Sequence, residues 1–142
     1  SLGGNRYWYN EVECGEIVQS SLLMGYFGTP VVLVSGDEAT CRETDEFLGE
    51  DVVTVAVKEG YAEQYGLLLA PAAARELIRE GAQKAMGQVD VCEPFVMDLP
   101  ISGRLRFPDK SIADRFQPRR GRRVDDHTFE ATFERALDIY EF

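Results

Sequence analysis

A chain of 142 residues with 44% hydrophobic content is long enough to bury the core of one domain or of two small lobes. Its net charge of −10 disfavours nucleic acid and anionic membrane as bulk partners, and no apolar run approaches the ~20 residues that cross a bilayer. Cys14, Cys41 and Cys92 are odd in number and lack CxxC or zinc-finger spacing, which reads as reduced thiols in a cytoplasmic protein.

Arg6-Tyr7-Trp8-Tyr9 has the composition of a strand. Asn10-Glu11 is placed to turn the chain into Val12-Glu13-Cys14 as a short hairpin. From Gly15 to Phe27 the pattern becomes helical, with Val18, Leu22 and Tyr26 at i, i+4, i+8. Gly28-Thr29-Pro30 ends that helix, and Val31 to Val34 is a continuous apolar run suited to a strand covered on both faces. Asp37 to Leu48 reads as a second helix. Asp37 and Glu38 suit its positive end, Cys41, Thr44 and Leu48 mark one face, and Gly49 closes it. Val52 to Val57 is the next strand, ending in Lys58-Glu59-Gly60. Leu67 to Leu69 is a loop or short strand. Pro71 fits the first turn of a helix reaching about Met86, with Ala74, Leu77, Ile78, Gly81 and Ala85 on its buried stripe.

The last third changes character. Val91 to Phe107, interrupted by Pro94 and Pro100, suggests strands separated by turns. Ser111-Ile112-Ala113-Asp114 resembles a capping box for a helix over 112–117. Thr128 to Phe133 is another strand, and Phe133, Ala136, Leu137 and Tyr140 give an i, i+3, i+4, i+7 stripe for a C-terminal helix. No internal repeat or flexible linker interrupts this order. The class is therefore α/β, mixed α+β in the last third, with buried parallel strands flanked by helices. The expected division is an α/β segment over 1–90 and a smaller strand-helix-strand-helix lobe over 91–142.

Glu16 is the sharpest chemical candidate. A carboxylate following glycine at a helix start is held in a defined direction, and ionised oxygen suits a divalent metal. The alternative is that it only complements the helix dipole. Lys58, at a strand end, is a candidate for a substrate carboxylate, against the reading of a solvated lysine. Asn10 is either a turn residue or a substrate-binding group. His127, within Asp125-Asp126-His127-Thr128, reads as a turn residue without a role. Arg115, Arg119, Arg120, Arg122 and Arg123 form a basic cluster that either holds an anion or pairs with acidic surface. The cysteines have no adjacent histidine or lysine, which argues against a nucleophilic thiol.

The run from Gly3 to Asp37 resembles the C-terminal half of the M55 family of D-aminopeptidases, the dipeptide-transport-protein family. The matching pieces are the aromatic strand with Asn10, then Gly15-Glu16-Ile17, Gly25-Tyr26-Phe27-Gly28 and Pro30-Val31-Val32-Leu33-Val34-Ser35-Gly36-Asp37. Thr54-Val55-Ala56-Val57-Lys58-Glu59-Gly60 and the Pro71 helix with Ala74-Arg75-Glu76-Leu77-Ile78 continue the match, which loosens after Val89. The resemblance implies the C-terminal half of a two-lobed zinc-dependent exopeptidase acting on short peptides with an N-terminal D-residue. It implies two zinc ions, with most ligands and the assisting histidine in a missing N-terminal half, and Glu16 as the one metal ligand within this sequence. No catalytic residue would then lie in this segment, and the segment alone is expected to be inactive. A homo-oligomeric ring is also implied. Ser20 stands where the family usually has asparagine, which bears on substrate preference.

Two other readings compete. One is a non-enzymatic binding or assembly module of the same fold with an incomplete metal site. The other takes Ser1 as an N-terminal nucleophile freed by self-cleavage, against which the alternation of strands and helices argues. The opening Ser1-Leu2-Gly3-Gly4 resembles a chain interior, so a fragment, a processed product or a tag remnant is expected.

Overall fold

The computed structural model describes residues 4–62 and 65–142. In chain order its elements are β1 (Arg6–Tyr9), β2 (Val12–Cys14), α1 (Glu16–Tyr26), β3 (Leu33–Asp37), α2 (Glu38–Leu48), β4 (Val53–Ala62), β5 (Tyr65–Leu68), α3 (Pro71–Ala85), β6 (Ile101–Arg106), α4 (Lys110–Ala113), β7 (Arg122–Arg123), β8 (Thr128–Phe133) and a C-terminal 3-10 helix (Ala136–Glu141). This is the mixed α/β class, with parallel and antiparallel strands flanked by helices. Packing groups the chain as one unit of residues up to Phe27 with Val96–Phe142, and a second of Gly28–Phe95. The grouping does not follow a boundary at residue 90, because β1 pairs along β6 and so joins the start of the chain to its last third.

The first unit is built on an antiparallel sheet in the order β2-β1-β6-β8-β7. Asn10 (φ 49°) and Glu11 (φ 66°) both take left-handed backbone, which a two-residue turn needs to match the twist of its strands. Alternation then sends Tyr9, Ile101, Leu105, Phe129 and Phe133 into the core. Trp8 takes the other face, between the Arg6 and Arg104 guanidiniums at 5.0 and 5.5 Å. Helix α1 buries Val18, Leu22 and Gly25, whereas Tyr26 is exposed and edge-on to Phe27. At 3.6 residues per turn, eight residues carry Tyr26 about 80° away from Val18, while seven bring Gly25 back to within about 20°. The i+8 position of the expected stripe was therefore one residue too far.

The last third departs most from expectation. Between Val91 and Pro100 there is no strand, β6 begins only at Ile101, and Pro100 follows a cis peptide bond. Helix α4 is capped by Asp109, whose carboxylate accepts from the Ser111 N–H at 2.7 Å, two residues before the expected cap. The C-terminal segment is a 3-10 helix rather than an α-helix. With three residues per turn, Ala136, Ile139 and Phe142 share a face and Tyr140 turns outward. Asp138 is buried in the same turn, held by Arg135 at 2.5 Å and Arg120 at 3.8 Å.

The second unit carries a sheet in the order β3-β4-β5, with β3 and β4 parallel and β5 antiparallel to β4. Strand β3 starts at Leu33 rather than Val31. Only Val34 is buried, because β3 is an edge strand of this sheet instead of a central one. Helix α3 approaches β4 at Gly81, where an added Cβ would lie 2.5 Å from Val55 Cγ2. Its buried face is Gly81 and Ala85, with Ala74 and Ile78 half-buried and Leu77 exposed at the rim. Strand β4 continues through Lys58-Glu59-Gly60 to Ala62, because β5 pairs with that extension.

Helix α2 is fixed at both ends. Asp37 Oδ1 accepts from the Thr40 N–H at 2.8 Å, and Gly49 closes the helix with φ 88°, a conformation that favours glycine. Asp37→Ala is expected to lower stability by about 1 kcal/mol in urea titrations. The Thr40 amide holds the Asp37 carboxyl below the usual carboxylate range, and Arg135 does the same for Asp138. The unfolded chain therefore takes up these protons at higher pH than the folded one. This contribution is fully present above about pH 4 and is lost as pH falls through the depressed folded-state values. The urea midpoint should consequently fall between pH 6 and pH 3, and by less in Asp37→Ala.

Candidate metal-ligand site

Glu16 is the first residue of α1. Its chain position is fixed from both sides, by buried Cys14 at the end of β2 and by Val18 and Leu22 in the core. Gly15 before it is extended (φ −97°, ψ −166°) and offers no side chain to cap the helix, so the first-turn N–H groups keep their positive field. The Glu16 side chain is exposed. It forms no hydrogen bond or ion pair with any described residue. The result is an anchored Cα carrying an uncommitted carboxylate. Tyr7 lies within its electrostatic reach: burial pushes the phenol pKa up, and the Glu16 charge raises it further.

Carboxylate oxygen is a suitable donor for a divalent metal. One donor does not make a centre, however. Among the described residues there is no group of three or more His, Cys, Asp or Glu placed to hold an ion. The described residues alone therefore do not fit a complete zinc site, and Glu16 is at most one ligand of it.

The other sequence candidates go elsewhere. Asn10 sits at the hairpin tip, at the opposite end of β2 from Glu16. Its side chain accepts from the Ser102 N–H at 2.9 Å and donates to the Asp98 carbonyl at 3.0 Å. These bonds fasten the hairpin to the start of β6. Lys58 belongs to the second unit and is exposed. It lines a shallow cavity of about 140 Å³ with Glu38, Ala56, Glu59, Leu67 and Leu69. This is the carboxyl end of β3 and β4 beside the start of α2, a common binding position in α/β sheets.

Three further features are structural. Arg120 pairs with Glu141 and Asp138, Arg123 with Asp114 at 2.7 Å, and Arg115 donates to the Ser111 carbonyl at 3.2 Å, so much of the basic cluster meets internal acceptors. His127 packs its ring Nδ1 3.2 Å from the Phe107 carbonyl, as a turn residue. Burial pushes the Cys41 and Cys92 thiols up, away from nucleophilic thiolate. Sequence reasoning missed Tyr7 as the neighbour of Glu16. The period-2 alternation, with Arg6 and Trp8 on one face and Tyr7 and Tyr9 on the other, was the available signal.

A family model described as D-aminopeptidase, of the M55 peptidases, matches residues 3–142. A D-aminopeptidase of Bacillus subtilis (strain 168) is 29% identical over 101 residues, which are 70% of this chain and 36% of that protein. A solved structure described as Zn-dependent D-aminopeptidase DppA from Bacillus subtilis, a self-compartmentalizing protease, has a TM-score of 0.82 at 23% identity. That likeness of fold covers 95% of this chain and 50% of the solved one. The chain thus spans about a third of the curated relative's length and half of the solved chain's. Since the family model accounts for almost every residue, this chain belongs to the M55 D-aminopeptidase family.

Proposed function

We propose that this chain is part of a zinc-dependent aminopeptidase that hydrolyses short peptides with an N-terminal D-amino acid, and that Glu16 is one of its metal ligands. The observation carrying the proposal is the uncommitted Glu16 carboxylate on a rigidly anchored helix start, in a chain of this family. The remaining ligands come from polypeptide outside this sequence, and the 142-residue chain alone is inactive. When bound, two zinc ions would supply the Lewis acidity that generates hydroxide near neutral pH and polarises the scissile carbonyl. Glu16 contributes negative charge that balances one ion and a fixed direction for its approach. Lys58 is proposed as a contact for the carboxylate of a short peptide. A cytoplasmic location and assembly into a closed homo-oligomer complete the proposal.

The second reading is a binding or assembly module without hydrolysis. It draws support from the absence of a metal-holding group among the described residues. The two are separated by zinc content and D-alanyl-peptide hydrolysis, measured on the 142-residue chain and on the longer protein side by side. Hydrolysis by the longer zinc-loaded protein and none by the 142-residue chain is the expected result. Absence of zinc and of hydrolysis in both would favour the module.

A further inference from the structure

Strand β4 has two halves with different surroundings. Residues Val53 to Lys58 lie beside β3, whereas the remainder, to Ala62, pairs among the described residues with β5 alone. The arm formed by the end of β4 and by β5 therefore extends past the parallel pair. All four residues of β5 are exposed. Tyr65 (74%), Leu67 (62%) and Leu68 (71%) are followed by Leu69 (39%) and faced by Tyr61 (57%). Leu67 and Leu68 are adjacent, so they stand on opposite faces of the strand and both faces are apolar.

Among the described residues no strand pairs with the outer edge of β5 either. Leu69 donates inward to the Val57 carbonyl at 3.0 Å. Two-residue alternation then turns the N–H and C=O of Leu68 and Gly66 toward the unpaired side. From Tyr65 to Leu69 there is no charge and no proline, the usual devices that protect an edge strand. A hairpin of this kind is marginal in water without further cover.

We infer that this arm is a contact between two copies of the chain, with β5 of one copy antiparallel to β5 of the other about a twofold axis. The inference rests on the homo-oligomeric assembly proposed above and says which surface makes one of its contacts. Three observations choose a second copy as the occupant. These 142 residues carry a net charge of −10, and an uncharged apolar segment is where two copies of them can approach without mutual repulsion. An antiparallel edge pairs with itself, so one strand supplies both sides of a twofold contact. The exposed parts of Tyr61, Tyr65, Leu67, Leu68 and Leu69 amount to on the order of 600 Å² over the two faces of the arm, so apolar surface flanks the pairing edge on both sides.

The test uses the longer protein. Leu68→Pro removes an outward N–H without touching the inward ladder, and the pair Leu67→Lys with Leu68→Lys sets like charges against each other across the axis. Both variants are expected to keep the circular dichroism of the wild type while the mass in sedimentation falls at least two-fold. Amide exchange of Gly66 and Leu68 in the unmutated protein is expected to slow by at least ~100-fold in the oligomer and to speed up on dilution. Folded variants of unchanged mass, or unprotected Gly66 and Leu68 amides in the oligomer, would overturn the inference while leaving the peptidase reading intact. Protection that does not vary with dilution, together with unchanged mass, would mean that the protein's own remaining polypeptide covers the arm. A wild-type protein sedimenting as a monomer would contradict both the proposed assembly and this contact.

Discussion

Glu16→Gln in the longer protein is expected to remove about one zinc equivalent and to lower D-peptide turnover by at least ~10³-fold, since losing a ligand forfeits several kcal/mol of transition-state stabilisation. Stability of the metal-free protein should hardly move. Glu16 is exposed and forms no hydrogen bond or ion pair with a described residue, so only its interaction with the helix dipole is lost, about 0.3–1 kcal/mol. That split separates a ligand from a residue that merely stabilises α1. A dipole role alone predicts the small stability change with zinc content and turnover intact. Turnover by synthetic D-alanyl peptide, zinc by mass spectrometry and urea midpoints of the metal-free forms supply the three readouts.

Phe133→Ala is expected to carry the largest effect on folding, about 3–5 kcal/mol. The ring is fully buried at the end of β8, opposite Ile101 at the start of β6, and meets Phe142 edge-on at 5.3 Å. It also approaches Gly103 in the neighbouring strand, where an added Cβ would sit 2.5 Å from Phe133 Cε2 and 2.9 Å from Phe142 Cε2. The pair therefore behaves as one packing unit: glycine on β6 makes room for the ring from β8. Gly103→Ala should destabilise the wild type by overpacking and should cost clearly less in a Phe133→Leu background. Additive losses in that double-mutant cycle would show that the ring does not depend on the space at Gly103.

Much of this architecture is legible in the residues, and the exceptions have physical causes. The hairpin at Asn10-Glu11, the helix beginning at Glu16 and the Asp37 cap are set by local chemistry, and local chemistry is visible in sequence. What a segment packs against is not. Val31 to Val34 reads as a central strand because it is uniformly apolar, yet β3 lies at a sheet edge and begins two residues later. The C-terminal stripe fits an α-helix by spacing alone. Burying the Asp138 carboxylate against Arg135 and Arg120 accompanies a tighter 3-10 turn, and those ion pairs join residues up to 18 apart. At the candidate site, Glu16 was visible through the glycine before it and the apolar helix after it. Tyr7 comes within electrostatic reach of Glu16 through its pairing with Cys14 in the β1–β2 hairpin, and alternation along β1 showed only which face it takes.

Anomalous diffraction at the zinc edge from crystals of the longer protein addresses the metal role of Glu16 most directly. A zinc peak with a Glu16 carboxylate oxygen at about 2.0–2.2 Å is the predicted result. Zinc bound entirely by other residues, with the Glu16 side chain left in solvent, would contradict it.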